Sequence, residues 1–239
     1  MNGNPGLWAV VPVKLFAHAK RRLMPLLSLN ERRTLTGAML ADVLSALVRT
    51  PCLAGVLVVT GERSAESMAR AAGAVVMNDS ESIGMNAAIA KAARRLADLG
   101  RSGMLVTPAD VPLITTADVE AIVRVHHAAP SVTLVPAGND GGTNALACSP
   151  PLAISCRFGE DSLREHREAA RVAGITAGIL RLEQVGHDID RPDDLARFLL
   201  RPSPTQSYAY LVASGIAERL RGEYRDPCGE PRARQTPHD

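Results

Sequence analysis

Short apolar runs alternate along the chain with longer stretches in which apolar positions recur every three or four residues. Leu7 to Val13 is a continuous, Val-rich run and reads as a buried strand. Ser28-Leu29-Asn30-Glu31 has the spacing of a capping box. The pattern after it places Leu35, Met39, Val43, Leu44 and Leu47 on one face of a helix of about 20 residues. Gly55 to Thr60 reads as a second strand, Arg63 to Ala72 as a short helix and Ala74 to Met77 as a third, short strand. Asn86 to Leu99 is Ala-rich and helical, with Gly100 as its stop. Met104 to Thr107 predicts a fourth strand that runs into Pro108-Ala109-Asp110-Val111-Pro112. Thr115 and Asp118 again have capping spacing, for a helix reaching about Ala128. Val132 to Pro136 and Ala145 to Cys148 read as strands around a flexible turn, Gly138 to Asn144. Ser162 to Ala173 is helical, Gly178 to Ile189 mostly extended, and Pro192 to Leu200 a short helix with proline in its first turn.

Strands separated by helices imply βαβ units. The expected fold is therefore three-layer α/β, with a mostly parallel sheet and helices on both faces. The main domain is expected over 1–200. Pro202-Ser203-Pro204 reads as a linker into a C-terminal extension, 201–239. That extension is expected to hold one helix over 205–222, amphipathic from Tyr208 to Leu220, then a polar, Pro-rich, disordered tail from about Arg225.

Composition narrows the function. The chain has 239 residues, 46% of them hydrophobic, and a formal net charge of only +2. So even a balance argues against a surface that coats nucleic acid. Aromatics at 3% disfavour base-stacking platforms and require an aliphatic core. The N-terminus lacks the basic and apolar regions of a signal peptide, and the apolar runs are too short to span a membrane. Cys52, Cys148, Cys156 and Cys228 form no CxxC pair, which argues against a zinc site or a disulfide scaffold and for reduced thiols in the cytoplasm.

Parallel α/β sheets place ligands at the carboxyl ends of their strands. Four groups of residues fall there. The loop after the first strand carries Lys14, Lys20, Arg21 and Arg22 without a P-loop or GxGxxG pattern. It is either a polyphosphate cradle or a solvated loop. Asp110 closes a buried strand between two prolines and is either a turn cap or a metal ligand. Asp188 and Asp190 share one side if their stretch is extended, and a divalent cation would relieve their repulsion; Asp190 could instead cap the next helix. With Asp110 they make a three-carboxylate set of the hard-oxygen kind that suits Mg²⁺. On the anion side, Ser162 to Glu165 has capping spacing at a helix start, and Gly141-Gly142-Thr143-Asn144 allows close backbone approach. The bland alternatives are an N-cap and a hairpin turn. His126, His127, His166 and His187 have no metal-ligand spacing, and His166 falls one helical turn after Ser162. No local signature of a covalent nucleophile is present.

The order of these motifs resembles one family. Pro12-Val13-Lys14 with Ala19-Lys20-x-Arg22-Leu23, Glu31-Arg32, Asp42-Val43-Leu44, Gly84-x-Asn86, Pro108-Ala109-Asp110-x-Pro112, Gly142-Thr143-Asn144-Ala145-Leu146, Phe158-Gly159-x-x-Ser162-x-x-x-His166 and Asp188-Ile189-Asp190-x-Pro192-x-Asp194-Leu195 are similar to the phospholactate, phosphoenolpyruvate or 3-phospho-D-glycerate guanylyltransferases of coenzyme F(420) biosynthesis. The likeness spans roughly residues 8 to 200. It implies a GT-A-like, Rossmann-related nucleotidyltransferase that joins GTP to a small phosphorylated three-carbon acid and releases pyrophosphate. It further implies Mg²⁺ on Asp110, Asp188 and Asp190, with these and Lys20 as the catalytic set. By the same likeness, Thr143, Gly159 and Ser162 hold the acid, Lys14, Lys20 and Arg22 meet the GTP phosphates, and the Gly84 to Asn86 turn lies near the base. A downstream transferase that receives the labile product is the implied partner; the segment after Leu200 is either a homodimer element, a lid or a tail. Met85 and Arg21 depart from the expected Leu and Ser or Thr. Related alternatives are a molybdenum-cofactor or sugar-phosphate nucleotidyltransferase, or a nucleotide-binding regulator without activity.

Overall fold

A computed structural model describes residues 6–79, 84–138 and 141–223. The expected disordered tail and part of the Gly138 to Asn144 turn lie outside these residues. Seven strands form one sheet in the order β3-β2-β1-β4-β6-β5-β7. β1 (Leu7–Val13) pairs in parallel with β2 (Gly55–Thr60) and β4 (Gly103–Val106), and β2 pairs in parallel with β3 (Val75–Asn78). β6 (Thr143–Ser149) runs antiparallel to both β4 and β5 (Ser131–Pro136), and β5 is parallel to the two-residue β7 (Gly178–Ile179). The reversed strand matters for the site. It brings Thr143 and Asn144, at the start of β6, to the end of the sheet where β1 and β4 finish. There Thr107 donates its hydroxyl to the Asn144 carbonyl at 3.1 Å.

Strand alternation sorts the core into two layers. Leu7, Ala9, Val11 and Val13 face α1 (Leu29–Val48) and α4 (Thr116–Val125), packing with Leu40, Val43, Leu44, Val119 and Ile122. Val10 faces the other way, toward Ile89, Ala92 and Leu96 of α3 (Met85–Asp98) and Ala170 of α5 (Ser162–Val172). Ala9, Val10 and Val11 are wholly buried. Each such valine contributes about 1.5–3 kcal/mol, which makes β1 a rigid base for the loop that follows it. α2 (Arg63–Ala71) completes the helices between strands.

A third apolar cluster joins α1 to the end of the chain. Leu35 and Met39 of α1 meet Leu195, Phe198 and Leu199 of α6 (Pro192–Leu199) and Leu211 of α7 (Gln206–Ala213). Ile216, Ala217 and Leu220 of α8 (Ile216–Glu223) complete it. The segment after residue 200 is thus packed on α1. Asp42 of α1 accepts from the Gln206 amide at 2.7 Å, the Ser207 amide at 3.0 Å and the Ser207 hydroxyl at 2.5 Å. Among the described residues no helix is long and apolar enough to cross a membrane.

The structure corrects four expectations. One C-terminal helix becomes two, broken at Ser214-Gly215, where Gly215 takes φ +72°, a conformation glycine adopts at little cost. α4 ends at Val125, not near Ala128: His126 turns extended, and its ring joins Thr133 Oγ1 at 2.9 Å and Ser149 Oγ at 3.0 Å. The stretch from Gly178 to Ile189 is strand only at its first two residues. Its apolar Val185 and Ile189 are buried from a loop that Gly186 closes by donating to the Leu182 carbonyl at 2.8 Å. β6 starts two residues earlier than its apolar run, because polar Thr143 and Asn144 are themselves buried strand residues.

Candidate active site

A cleft of about 450 Å³ opens beyond the ends of β1 and β4 and beside the start of β6. Lys14, Lys20, Arg22, Asp110, Thr143, Gly159, Asp188 and Asp190 all line it. These residues are spread over most of the chain, and the fold brings them together. A larger hollow, about 720 Å³, lies between α1, α6 and the 183–187 loop and contains none of them. Chemistry, not volume, marks the cleft as the site.

Lys20 is its centre. Its backbone is left-handed, φ 53°, a conformation that is costly for a residue with a side chain. The side chain is buried, and Nζ lies 2.5 Å from Asp110 Oδ2 and 3.7 Å from Asp190 Oδ1. Burial works against the ammonium, but the charges of Asp110, Asp190 and Asp188 outweigh it and raise the Lys20 pKa above the usual lysine value. Arg22, more exposed, holds the other Asp190 oxygen at 2.6 Å and approaches Glu160 at 3.6 Å. Lys14 is exposed at the cleft and forms no ion pair among the described residues.

The carboxylates arrive from two loops stitched together by the Ile189 amide, which donates to the Asp110 carbonyl at 3.0 Å. The Asp110 side chain turns to Lys20. Asp190 does not cap α6: Asp194 accepts from the Arg191 amide at 2.8 Å and does that work. Asp188 accepts from Asn144 Nδ2 at 3.0 Å. Burial, then the Asp110 charge, push the Asp188 pKa above the usual carboxylate range. Among the described residues no three His, Cys, Asp or Glu side chains are grouped closely enough to hold a metal ion. The reason is that cations stand between the aspartates: Lys20 bridges Asp110 and Asp190, and Arg22 draws Asp190 to the rim. The donor chemistry still fits a hard cation, since Mg²⁺ is usually held by one or two carboxylates with waters and phosphate oxygens. Asp110 and Asp188 repel each other in the way such an ion relieves.

The opposite wall belongs to the start of β6 and the 158–160 loop, with α5 behind them. Thr143 Oγ1 lies 3.0 Å from His166 Nδ1, and His166 Nε2 accepts from the Arg157 amide at 2.8 Å. Ser162 is not the N-cap; Asp161 is. The Ser162 hydroxyl is buried with no hydrogen-bond partner among the described residues, and Ser162, unlike Thr143 and Gly159, is not among the residues that line the cleft. The helix end itself is less open than its sequence implied: the Ser162 amide turns to the Gly159 carbonyl at 3.3 Å and Leu163 donates to Gly141 at 3.0 Å. Gly84 and Asn86 also depart from expectation. They are not among the cleft-lining residues, and the Asn86 amide grips Phe158 twice, accepting from its N–H at 2.8 Å and donating to its carbonyl at 3.1 Å. Asn86 is thereby a clamp on the 157–159 loop, while its neighbour Met85 faces the cleft. Sequence reasoning missed Asn144 as a site residue; a buried Asn opening an apolar strand was the available signal.

Known proteins carry the same arrangement of sequence. The family profile described as "Guanylyl transferase CofC like" matches residues 7–222. The chain belongs to this family. It is 39% identical over 199 residues to a phosphoenolpyruvate guanylyltransferase of Roseiflexus, covering 83% of this chain and 87% of that protein. It is 35% identical over 204 residues to a 2-phospho-L-lactate guanylyltransferase of Methanothermobacter thermautotrophicus, covering 85% and 88%. In fold it is similar to a nucleotidyl transferase structure from Methanothermobacter, with a TM-score of 0.58 at 17% identity over 82% of this chain and 96% of that one. The sheet and its helices are thus those of the GT-A-like nucleotidyltransferases.

Proposed function

We propose that this chain transfers GMP from GTP to the phosphate of a small phosphorylated three-carbon acid, releasing pyrophosphate, as a step of coenzyme F(420) biosynthesis in the cytoplasm. The acid is 2-phospho-L-lactate, phosphoenolpyruvate or 3-phospho-D-glycerate. One observation carries the reading: a basic loop and an aspartate group share a cleft with a hydroxyl-lined wall, and no nucleophilic Ser or Cys is among the residues that line it.

An oxygen of the acceptor phosphate attacks the α-phosphorus of GTP. The new P–O–P bond forms as the bond from that phosphorus to the β-bridging oxygen breaks, and pyrophosphate leaves with the electron pair. A phosphate monoester has its second pKa near 6, so the acceptor is largely dianionic at neutral pH and requires no general base. What opposes the reaction is repulsion between that dianion and a triphosphate. Lys14, Lys20 and Arg22 counter it by neutralising charge that builds on the departing pyrophosphate. Thr143 and Gly159 hold and orient the acid, with the buried Ser162 backing Gly159 through its amide. Asp110 and Asp188, with Asp190 beside them, are the residues that would hold Mg²⁺. The bound ion supplies charge neutralisation at the phosphates. The labile product passes to a downstream transferase of the pathway.

The test is incubation of the protein and Mg²⁺ with each of the four nucleoside triphosphates and each acid separately, following pyrophosphate. Release with GTP and one of the three acids is expected. Release with another nucleotide, with a sugar phosphate alone, or with no acid would overturn the reading.

A further inference from the structure

His166 sits behind the cleft wall, fully buried, one helical turn after Ser162. Its two ring nitrogens have different partners. Nε2 faces the Arg157 backbone N–H, which can only donate. Nε2 therefore offers a lone pair. Burial drives the ring pKa down to about 4, so the imidazole is neutral and carries a single proton. That proton must be on Nδ1, and Nδ1 lies 3.0 Å from Thr143 Oγ1. The hydroxyl oxygen accepts from the ring, and its own hydrogen has no acceptor within the protein among the described residues. Thr143 lines the cleft.

We infer that His166 is a positioning residue that donates to the Thr143 hydroxyl oxygen and so leaves the hydroxyl hydrogen free for an anionic oxygen in the cleft. The backbone amide sets the tautomer, and the tautomer sets the direction of the hydroxyl. The same ring secures the neighbouring loop. Its Nε2 accepts from the Arg157 amide, and its ring packs in a T-shaped pair with Phe158, centroids 5.1 Å apart. Asn86 grips the Phe158 backbone from the other side. Gly159 follows directly in this loop, so one buried histidine orients both Thr143 and the loop that carries Gly159. An oxygen without a proton thus finds at Thr143 a hydroxyl hydrogen that no protein acceptor among the described residues claims. This inference rests on the reading that Thr143 faces the phospho-acid.

The first measurement is the proton location, by ¹⁵N–¹H correlation of histidine side chains in the full chain near neutral pH. A proton on Nδ1 of His166 supports the inference, and a proton on Nε2 overturns it. The second is kinetic. His166→Gln retains an acceptor near the Nε2 position but removes the donor to Thr143. It is expected to raise KM for the acid about ten-fold while KM for GTP stays within about two-fold. His166→Asn retains a donor near the Nδ1 position and is expected to recover most of that loss. In a Thr143→Val background, His166→Gln should add nothing further. Equal rises in both KM values, or the same penalty with and without the threonine hydroxyl, overturn the inference. If no acid is turned over, the reaction proposed above fails on its own. Calorimetric binding of phosphoenolpyruvate to the same variants, with the tautomer, then decides the role of His166.

Discussion

Two sets of aspartates, Asp42 buried and the cleft trio half-buried, differ in what neutralises them. Asp42 lies between α1 and α7 and receives three hydrogen bonds, all from neutral donors of Gln206 and Ser207. Asp110, Asp188 and Asp190 lie at a cleft, and two of them are held by the side-chain cations Lys20 and Arg22. Burial raises the pKa of both Asp42 and Asp188, but only Asp188 has a second carboxylate adding to the shift. Neutral backbone donors are fixed by the fold and cannot exchange. Ammonium and guanidinium groups on flexible stems can turn to an incoming phosphate. The first arrangement fastens a helix, and the second is suited to substrate.

The largest effect is expected at the cleft. Asp188→Asn is expected to lower turnover by about 100-fold or more while the melting temperature holds or rises, since a half-buried charge repelled by its neighbour is removed. Steady-state pyrophosphate assays with thermal melts test both halves. A smaller but still large effect is expected at the other acid. Asp42→Ala leaves the donors of Gln206 and Ser207 unpaired and should cost about 2–3 kcal/mol of stability, read from urea midpoints, with turnover of the folded fraction unchanged. Arg22→Gln is expected to raise KM for GTP about five-fold and to leave stability within about 0.5 kcal/mol, because exposed ion pairs contribute little to folding.

The smallest effect is a pH dependence at the edge of the Asp42 region. Glu31 begins α1 and meets Arg219 of α8. The hydrogen bond from Arg219, with that of the Ser28 amide, lowers the Glu31 pKa from the ordinary 4.5 to about 2. A depressed carboxylate stabilises the fold above its unfolded pKa and loses that contribution as pH falls through the folded one. Glu31→Gln should therefore flatten the stability profile between about pH 4.5 and pH 2 and change little below it, by urea titration at each pH.

Much of the scaffold was legible because its strands are unbroken apolar runs and its helices carry their own caps. Ser28 with Glu31 and Thr115 with Asp118 both form the capping boxes their spacing predicts. The cleft-lining aspartates and the basic loop were also legible as motifs at strand ends. What escaped were partnerships between residues distant in sequence. Periodicity holds nothing that joins Asp42 to Gln206, or that commits the Asn86 amide to the Phe158 backbone and not to a base. Nor does it reveal that Lys20, in a left-handed turn, stands between two aspartates. The loop after β7 misled for a related reason: Val185 and Ile189 are buried as in a strand, but by a turn packed on the core.

The central claim is that the cleft acids take a divalent ion with the nucleotide. Calorimetric titration of GTP into the protein with and without Mg²⁺, repeated with Asp188→Asn, tests it directly. Tight binding is expected only with Mg²⁺, and most of that Mg²⁺ dependence is expected to disappear in the variant. GTP binding of equal strength with and without the ion, or a variant that responds to Mg²⁺ as the parent does, would contradict it.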